Sequence, residues 1–132
     1  MTAGEQPSEL MALIDPRFDE VTTTRIKRSI AADERHHQSW GIVHGGHYAA
    51  AVETFATFGA YQAVKDSGQQ AVGVANSTDF LRPHRAGRLD VLATAVHQGR
   101  TQQLWEVELR RPEDRKLIAR GQVRLQNIEA TR

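Results

Sequence analysis

Between His44 and Lys65 the chain carries a single Asp, Glu, Lys or Arg, and that residue is Glu53. The twenty residues from Gly45 to Val64 are otherwise rich in Ala, Phe and Tyr. Tyr48, Val52, Phe55 and Gly59 recur at spacings of three and four, the repeat of one helix face. His44-Gly45-Gly46 supplies an entry to such a helix and Ser67-Gly68 an exit. A helix of this length spans roughly 30 Å, the width of a small domain. One that is apolar nearly all round is expected to run through the middle of a fold.

The flanking sequence reads as strands. Phe18–Ala31 holds β-formers (Val21, Thr22, Thr23, Thr24, Ile26, Ile30) with basic residues between them, and predicts one strand with a wet face. Asp33–Trp40 is polar and predicts a loop. After the helix, Gln70–Leu81, Arg88–Gln98, Thr101–Arg110 and Leu117–Ile128 read as four strands separated by short turns, which implies an antiparallel meander. Residues 1–16 are a polar lead-in in which Ser8–Ile14 forms a short helical turn ended by Asp15-Pro16. The predicted class is α+β: a curved antiparallel sheet wrapped around one long central helix, the hotdog fold. An α+β sandwich with the helix on one face fits the same pattern.

At 132 residues the expectation is one domain spanning 1–132. A chain this short buries about two-thirds of its surface alone, so oligomerisation is a way to complete the walls of a pocket. Seventeen Lys and Arg against sixteen Asp and Glu leave a net charge of +1, which argues against a dedicated nucleic-acid binder. Cysteine is absent, which excludes a thiol nucleophile and thiolate metal sites within this sequence. No signal-like start and no run of 18 apolar residues is present, so neither secretion nor membrane insertion is expected. A cytoplasmic location is the expectation. Six histidines raise the question of a metal, but no HExxH or comparable spacing occurs, and no metal site is expected.

Glu53 is the residue that breaks the pattern. A carboxylate in an apolar helix loses solvation, which raises its pKa and makes isolated burial costly. It either faces a rim, pairs with an Arg in a structural role, or serves a function. The free N–H groups of Gly45 and Gly46, at a helix start, can stabilise an oxyanion or simply begin a helix. Gln38, six residues before His44, can donate to a carbonyl or orient a water; alone it is one more loop glutamine. Thr57 lies one turn after Glu53 on the same face, where its hydroxyl either holds a water or bonds back to its own helix.

Taken together, His37-Gln38-Ser39-Trp40-Gly41-Ile42-Val43-His44-Gly45-Gly46, followed by Glu53 and Thr57, resembles the hotdog-fold acyl-CoA thioesterases. The nearest branch holds the 4-hydroxybenzoyl-CoA thioesterases of the Arthrobacter type and the 1,4-dihydroxy-2-naphthoyl-CoA thioesterases; the phenylacetate-pathway enzymes are further away. The likeness runs from Ile30 to Ile128 and includes Asp79-Phe80-Leu81-Arg82 and His97-Gln98-Gly99-Arg100. It implies that the Gly45 N–H polarises the thioester carbonyl and that Glu53 attacks the carbonyl or activates water. Gln38 and Thr57 then position that water, and His44 lies near the sulfur or orients the loop. It implies no cofactor beyond the coenzyme A of the substrate, a small and aromatic acyl group, and a dimer of dimers. Each site would be shared across a dimer interface, with Gln38 and the His-Gly-Gly loop facing Glu53 of the neighbouring chain. Where the family often has Pro before the loop glycine, this chain has Ser39-Trp40, and Trp40 either shapes the acyl pocket or packs.

Arg82, Arg85 and Arg100 are either candidates for the CoA phosphates, because guanidinium forks match phosphates, or solvated charges on loops; Gly46 and Trp40 are placed beside the substrate. The neutral total hides an asymmetry that suits this. Residues 1–78 hold six Lys and Arg against nine Asp and Glu, whereas residues 79–132 hold eleven against seven. Two other classes remain: a hotdog dehydratase, which needs a His and a carboxylate to shuttle a proton, and a non-catalytic acyl-CoA-binding module, which needs no carboxylate at Glu53.

Overall fold

Two glycines bracket the central element. Helix α2 runs from Gly45 to Val64, then tightens into a 3₁₀ turn (Lys65–Ser67) that Gly68 closes at a φ of 73°. The computed structural model describes residues 8–130; residues 1–7 of the polar lead-in lie outside the described residues. Before α2 come α1 (Glu9–Ile14), β1 (Arg17–Val21) and β2 (Arg25–Ile30). After it come β3 (Gln69–Phe80), β4 (Leu89–Gln98), β5 (Gln102–Arg110) and β6 (Leu117–Glu129). Helix α1 is the expected turn: Ser8 caps it by accepting from the Met11 N–H at 3.1 Å, and Asp15 ends it in the left-handed region. No helix among the described residues is long and apolar enough to cross a membrane.

The strands form one six-stranded antiparallel sheet in the order β1-β2-β4-β5-β6-β3. Strands β2 to β6 all pack on α2, so the sheet curves around the helix as the hotdog reading requires. The core joins Val52, Phe55 and Ala56 of α2 to Val91, Trp105, Val107, Leu109, Val123 and Leu125 of the sheet. Gly59 allows a close approach of helix to sheet. A Cβ there would sit 2.6 Å from the Trp105 ring, which is fully buried. The indole N–H donates to Gln103 Oε1 at 2.9 Å, and Gln103 donates to Ala60 O and Asn127 Oδ1. This satisfied buried network anchors the C-terminal half of α2 to β5 and β6.

Three expectations are corrected. The single strand over 18–31 is a hairpin, because the Thr22 hydroxyl accepts from the N–H groups of Thr24 and Arg25 and turns the chain. The run of three threonines, all good strand formers, conceals that turn. The meander holds for β4-β5-β6 only. Strand β3 pairs with β6 while β4 pairs with β2, so residues 81–88 cross between opposite parts of the sheet. Finally, α2 is buried along one face (Tyr48, Val52, Phe55, Gly59) but not all round, and Glu53 is exposed on the uncovered side. The sheet of one chain covers a helix on one side only.

Candidate active site

The segment leading into α2 is a tight hairpin held from three directions. His37 bridges to Val43, Gln38 N–H donates to Ile42 O at 2.9 Å, and Gly41 turns the chain at a φ of 78°. The crossover clamps it: Val43 N–H donates to His84 O at 2.8 Å, His37 Nε2 donates to Arg85 O at 2.7 Å, and Arg85 Nη1 donates to Gly41 O at 3.0 Å. Gln38 Oε1 accepts from the Trp40 N–H, and the Trp40 side chain stands 84% exposed at the tip.

Beneath this hairpin two buried histidine rings stack, His36 on His47, with centroids 4.0 Å apart. His36 Nδ1 accepts from Asp33 N–H, so its Nε2 carries the proton donated to Leu13 O at 2.7 Å. His47 Nε2 donates to Ala31 O. The pair therefore ties α1, the end of β2 and the first turn of α2 to one another. Burial lowers the pKa of His47.

His44 is the N-cap of α2, its Nδ1 accepting from the Gly46 N–H at 2.7 Å. The Gly45 N–H, at the first helical position, meets no acceptor among the described residues. The Phe80 ring occupies the space a side chain at Gly45 would need, since a Cβ there would lie 2.5 Å from it. The glycine therefore lets an apolar wall close on a free backbone donor.

Glu53 stands two turns further along. Asn76 Nδ2 donates to Ala49 O at 3.0 Å and reaches Glu53 Oε1 at 3.5 Å, while the Thr78 hydroxyl donates to Asn76 Oδ1 at 2.7 Å. The carboxylate carbon lies above Gly73, where a Cβ would stand 3.5 Å away. Beside it opens a cleft of about 380 Å³, within the size range of small-molecule sites. Glu53, Thr57, Phe58, Tyr61, Gln70 and Arg28 are among its walls. The Arg28 guanidinium is buried, 4.1 Å from the Phe58 ring centroid and 5.6 Å from that of Phe55. Desolvation pulls its pKa down to about 9, which leaves it cationic at neutral pH.

Glu53 and Thr57 are thus brought together, and so are Gln38, Trp40, His44, Gly45 and Gly46. The two groups are not. Gly45 and Glu53 are eight residues apart on one straight helix, about 12 Å along its axis, whereas reacting atoms need to approach to roughly 3–3.5 Å. The arginines divide likewise. Arg82 and Arg85 lie in the crossover near the start of α2, where Arg85 and Arg111 line a second cleft. Arg100 sits in the β4–β5 turn, whose carbonyl oxygen accepts from Asn127 beyond the other end of the helix. Sequence reading gave no role to Asn76 or Arg28, and none to Phe80 beyond its place in the Asp79–Arg82 stretch. Period-two phasing carried a signal for two of them. Arg28 falls in step with the buried Ile26 and Ile30, and Asn76 in step with Thr78 on one face of β3.

Comparison with known proteins places this geometry among relatives. A family model described as the thioesterase superfamily matches residues 41–118. A candidate esterase of Mycobacterium tuberculosis (Rv1847) is 45% identical over 95 residues, covering 70% of this chain and 67% of that protein. The crystal structure of AziG from S. sahachiroi superposes with a TM-score of 0.88 at 35% identity, covering 95% of this chain and all of that one. The 1,4-dihydroxy-2-naphthoyl-CoA hydrolase of Escherichia coli is 24% identical over 100 residues, covering 76% of this chain and 73% of that enzyme.

Proposed function

The chain belongs to the thioesterase superfamily and is a thioester hydrolase, and from that premise we propose that it cleaves a small aromatic acyl-CoA to the free acid and CoA. The observation that carries this reading is Glu53, the one charged residue of α2, which opens into the cleft beside Thr57, Phe58 and Tyr61. Phe58 and Tyr61 suit a ring, and similarity to an enzyme named for a naphthoyl thioester supports an aromatic acyl group.

The proposed working unit is a pair of chains. Strand β3 is an edge strand of twelve residues with Val72 and Val74 exposed at 40% and 51%. An unpaired edge carrying exposed valines is suited to pairing with a second copy. Such pairing would set the Gly45 and Gln38 loop of one copy against Glu53 of the other, which removes the 12 Å problem. Two such dimers would make the expected tetramer.

In the proposed mechanism the partner's Gly45 N–H, aided by the helix dipole, binds the oxyanion as the carbonyl becomes tetrahedral. Either the Glu53 carboxylate attacks that carbon, the CoA thiolate departs and water then cleaves the resulting anhydride to the free acid and the restored carboxylate, or Glu53 takes a proton from the attacking water and passes it to the departing thiolate. Thr57 and the partner's Gln38 hold the water, and His44 fixes the loop as a cap. The partner's Arg82 and Arg85, with Arg100 of the copy that supplies Glu53, are assigned to the CoA phosphates.

Thiol release over a panel of acyl-CoAs tests the reading. Glu53→Gln is expected to lower kcat/KM at least ~100-fold, the scale of a lost acid–base group. Undiminished turnover by that variant would remove Glu53 from the chemistry.

A further inference from the structure

Strand β3 runs antiparallel to α2 along the cleft. Asn76 meets Ala49 O, and Gly73 lies opposite the Glu53 carboxylate. Strand numbers fall as helix numbers rise, so Ala71 and Gln70 come next toward the C-terminal half of the helix. Both are in the cleft wall. Gln70 is three residues before Gly73, about 10 Å along the strand.

The helix gives a similar length independently. Glu53, Thr57 and Tyr61 recur at spacings of four, so they share one stripe of α2, and all three line the cleft. Glu53 stands at one end of this helical wall and Tyr61 at the other, eight residues and about 12 Å apart along the axis. Side chains on a helix lean toward its N-terminus together, which leaves their tips at roughly that separation.

A single benzoyl group reaches about one helical turn from its carbonyl carbon, roughly 5 Å. With that carbon at Glu53, the ring ends beside Thr57 and Phe58, and the stretch between Tyr61 and Gln70 stays open to water. An acyl group long enough to fill that stretch removes further apolar surface from water, its own and that of the half-buried Tyr61 ring.

We propose that the site takes an acyl group about two rings long, and that Tyr61 is the specificity-determining residue that meets the second ring. This rests on the thioesterase reading and on Glu53 marking the reacting end of the cleft.

The test compares kcat/KM for 4-phenylbenzoyl-CoA and benzoyl-CoA. The wild-type chain is expected to favour the longer substrate about tenfold, the worth of one ring-on-ring contact. Tyr61→Phe keeps the ring and is expected to keep the preference. Tyr61→Ala removes the ring and is expected to abolish most of it. A wild-type chain without preference for the longer substrate overturns the assignment. So does Tyr61→Ala if it slows both substrates equally and leaves their ratio unchanged, which is the mark of a merely structural residue. Calorimetric binding of 4-phenylbenzoate and benzoate separates this from failure of the thioesterase reading. If no acyl-CoA is hydrolysed, tighter binding of 4-phenylbenzoate that is weakened in Tyr61→Ala and kept in Tyr61→Phe still supports the long cleft. Equal or absent binding of the two acids by the wild-type chain, with thermal unfolding intact, overturns it.

Discussion

Asn76 bridges two elements at the carboxylate: its amide nitrogen donates to Ala49 O of α2 at 3.0 Å and lies 3.5 Å from Glu53 Oε1. Because Thr78 donates to Asn76 Oδ1, the amide is held with its nitrogen toward the helix. Asn76 thus restrains Glu53 without belonging to the same helix. Asn76→Ala is expected to lower kcat by about tenfold or more with a smaller change in KM, since a carboxylate free to rotate spends less time aligned. Asn76→Asp, which brings a second negative charge near Glu53, should be worse than Ala. Equal loss in kcat and in thermal stability for both variants would show a merely structural residue.

Sharing of the site between copies has a direct signature. Gln38→Ala and Glu53→Gln each damage a different half of every site. Refolded together in equal amounts, half of the dimers are mixed, and each mixed dimer rebuilds one intact site. Activity should recover to about one quarter of wild type. No recovery above either variant alone would place both residues in one chain's site.

Val74→Lys tests the edge that makes the pairing possible. A charge on an exposed edge strand opposes strand addition. Sedimentation should show a smaller species, and thiol release should fall with it. A full-sized assembly with full activity would move the interface elsewhere.

Gly59→Ala addresses the packing of α2 on the sheet. The new methyl would stand 2.6 Å from a Trp105 ring that is fully buried and tethered by Gln103, so the ring has nowhere to withdraw. Overpacking of this kind destabilises by about 1–3 kcal/mol. Denaturant unfolding should read that difference as a lower midpoint at unchanged slope.

Acid should loosen the stacked histidines. Burial lowers the His47 pKa, opposed in part by its bond to Ala31 O; His36 and Arg35 lower it further and Asp33 raises it. The folded state therefore keeps the ring neutral, while the unfolded chain takes up a proton near the ordinary value of about 6.5. The contribution of His47 is complete above about 6.5 and is lost as pH falls toward the depressed folded value. Thermal midpoints measured from about pH 7.5 to 5.5 should drop, and the drop should be shallower in His47→Gln. Parallel slopes would assign the acid sensitivity to other groups.

The candidate site was legible where its parts are contiguous. The Gln38 to Gly46 loop and the Glu53–Thr57 pair are each local, so spacing and resemblance found them. Asn76, Phe80 and Arg28 reach the site from strands that approach α2 only after folding. Their residue types gave little warning: an arginine between two isoleucines in a basic strand looks like a solvated charge until its phase is followed.

By itself the amino-acid sequence determined the central helix and the four strands after it. The apolar run with one carboxylate set α2 at Gly45–Val64, and the alternation after it set four strands close to their observed limits, because helix and strand periods are local properties. Only the tertiary structure decided the neighbours. Alternation tells which face of a strand is buried but not which strand lies beside it, so the placement of β3 against β6 was not written in either strand. The same limit applies to Glu53. Its position on α2 and its distance along that helix from Gly45 were plain, but its exposure and the cleft whose wall it shares with Arg28 follow from a sheet that covers one side of the helix.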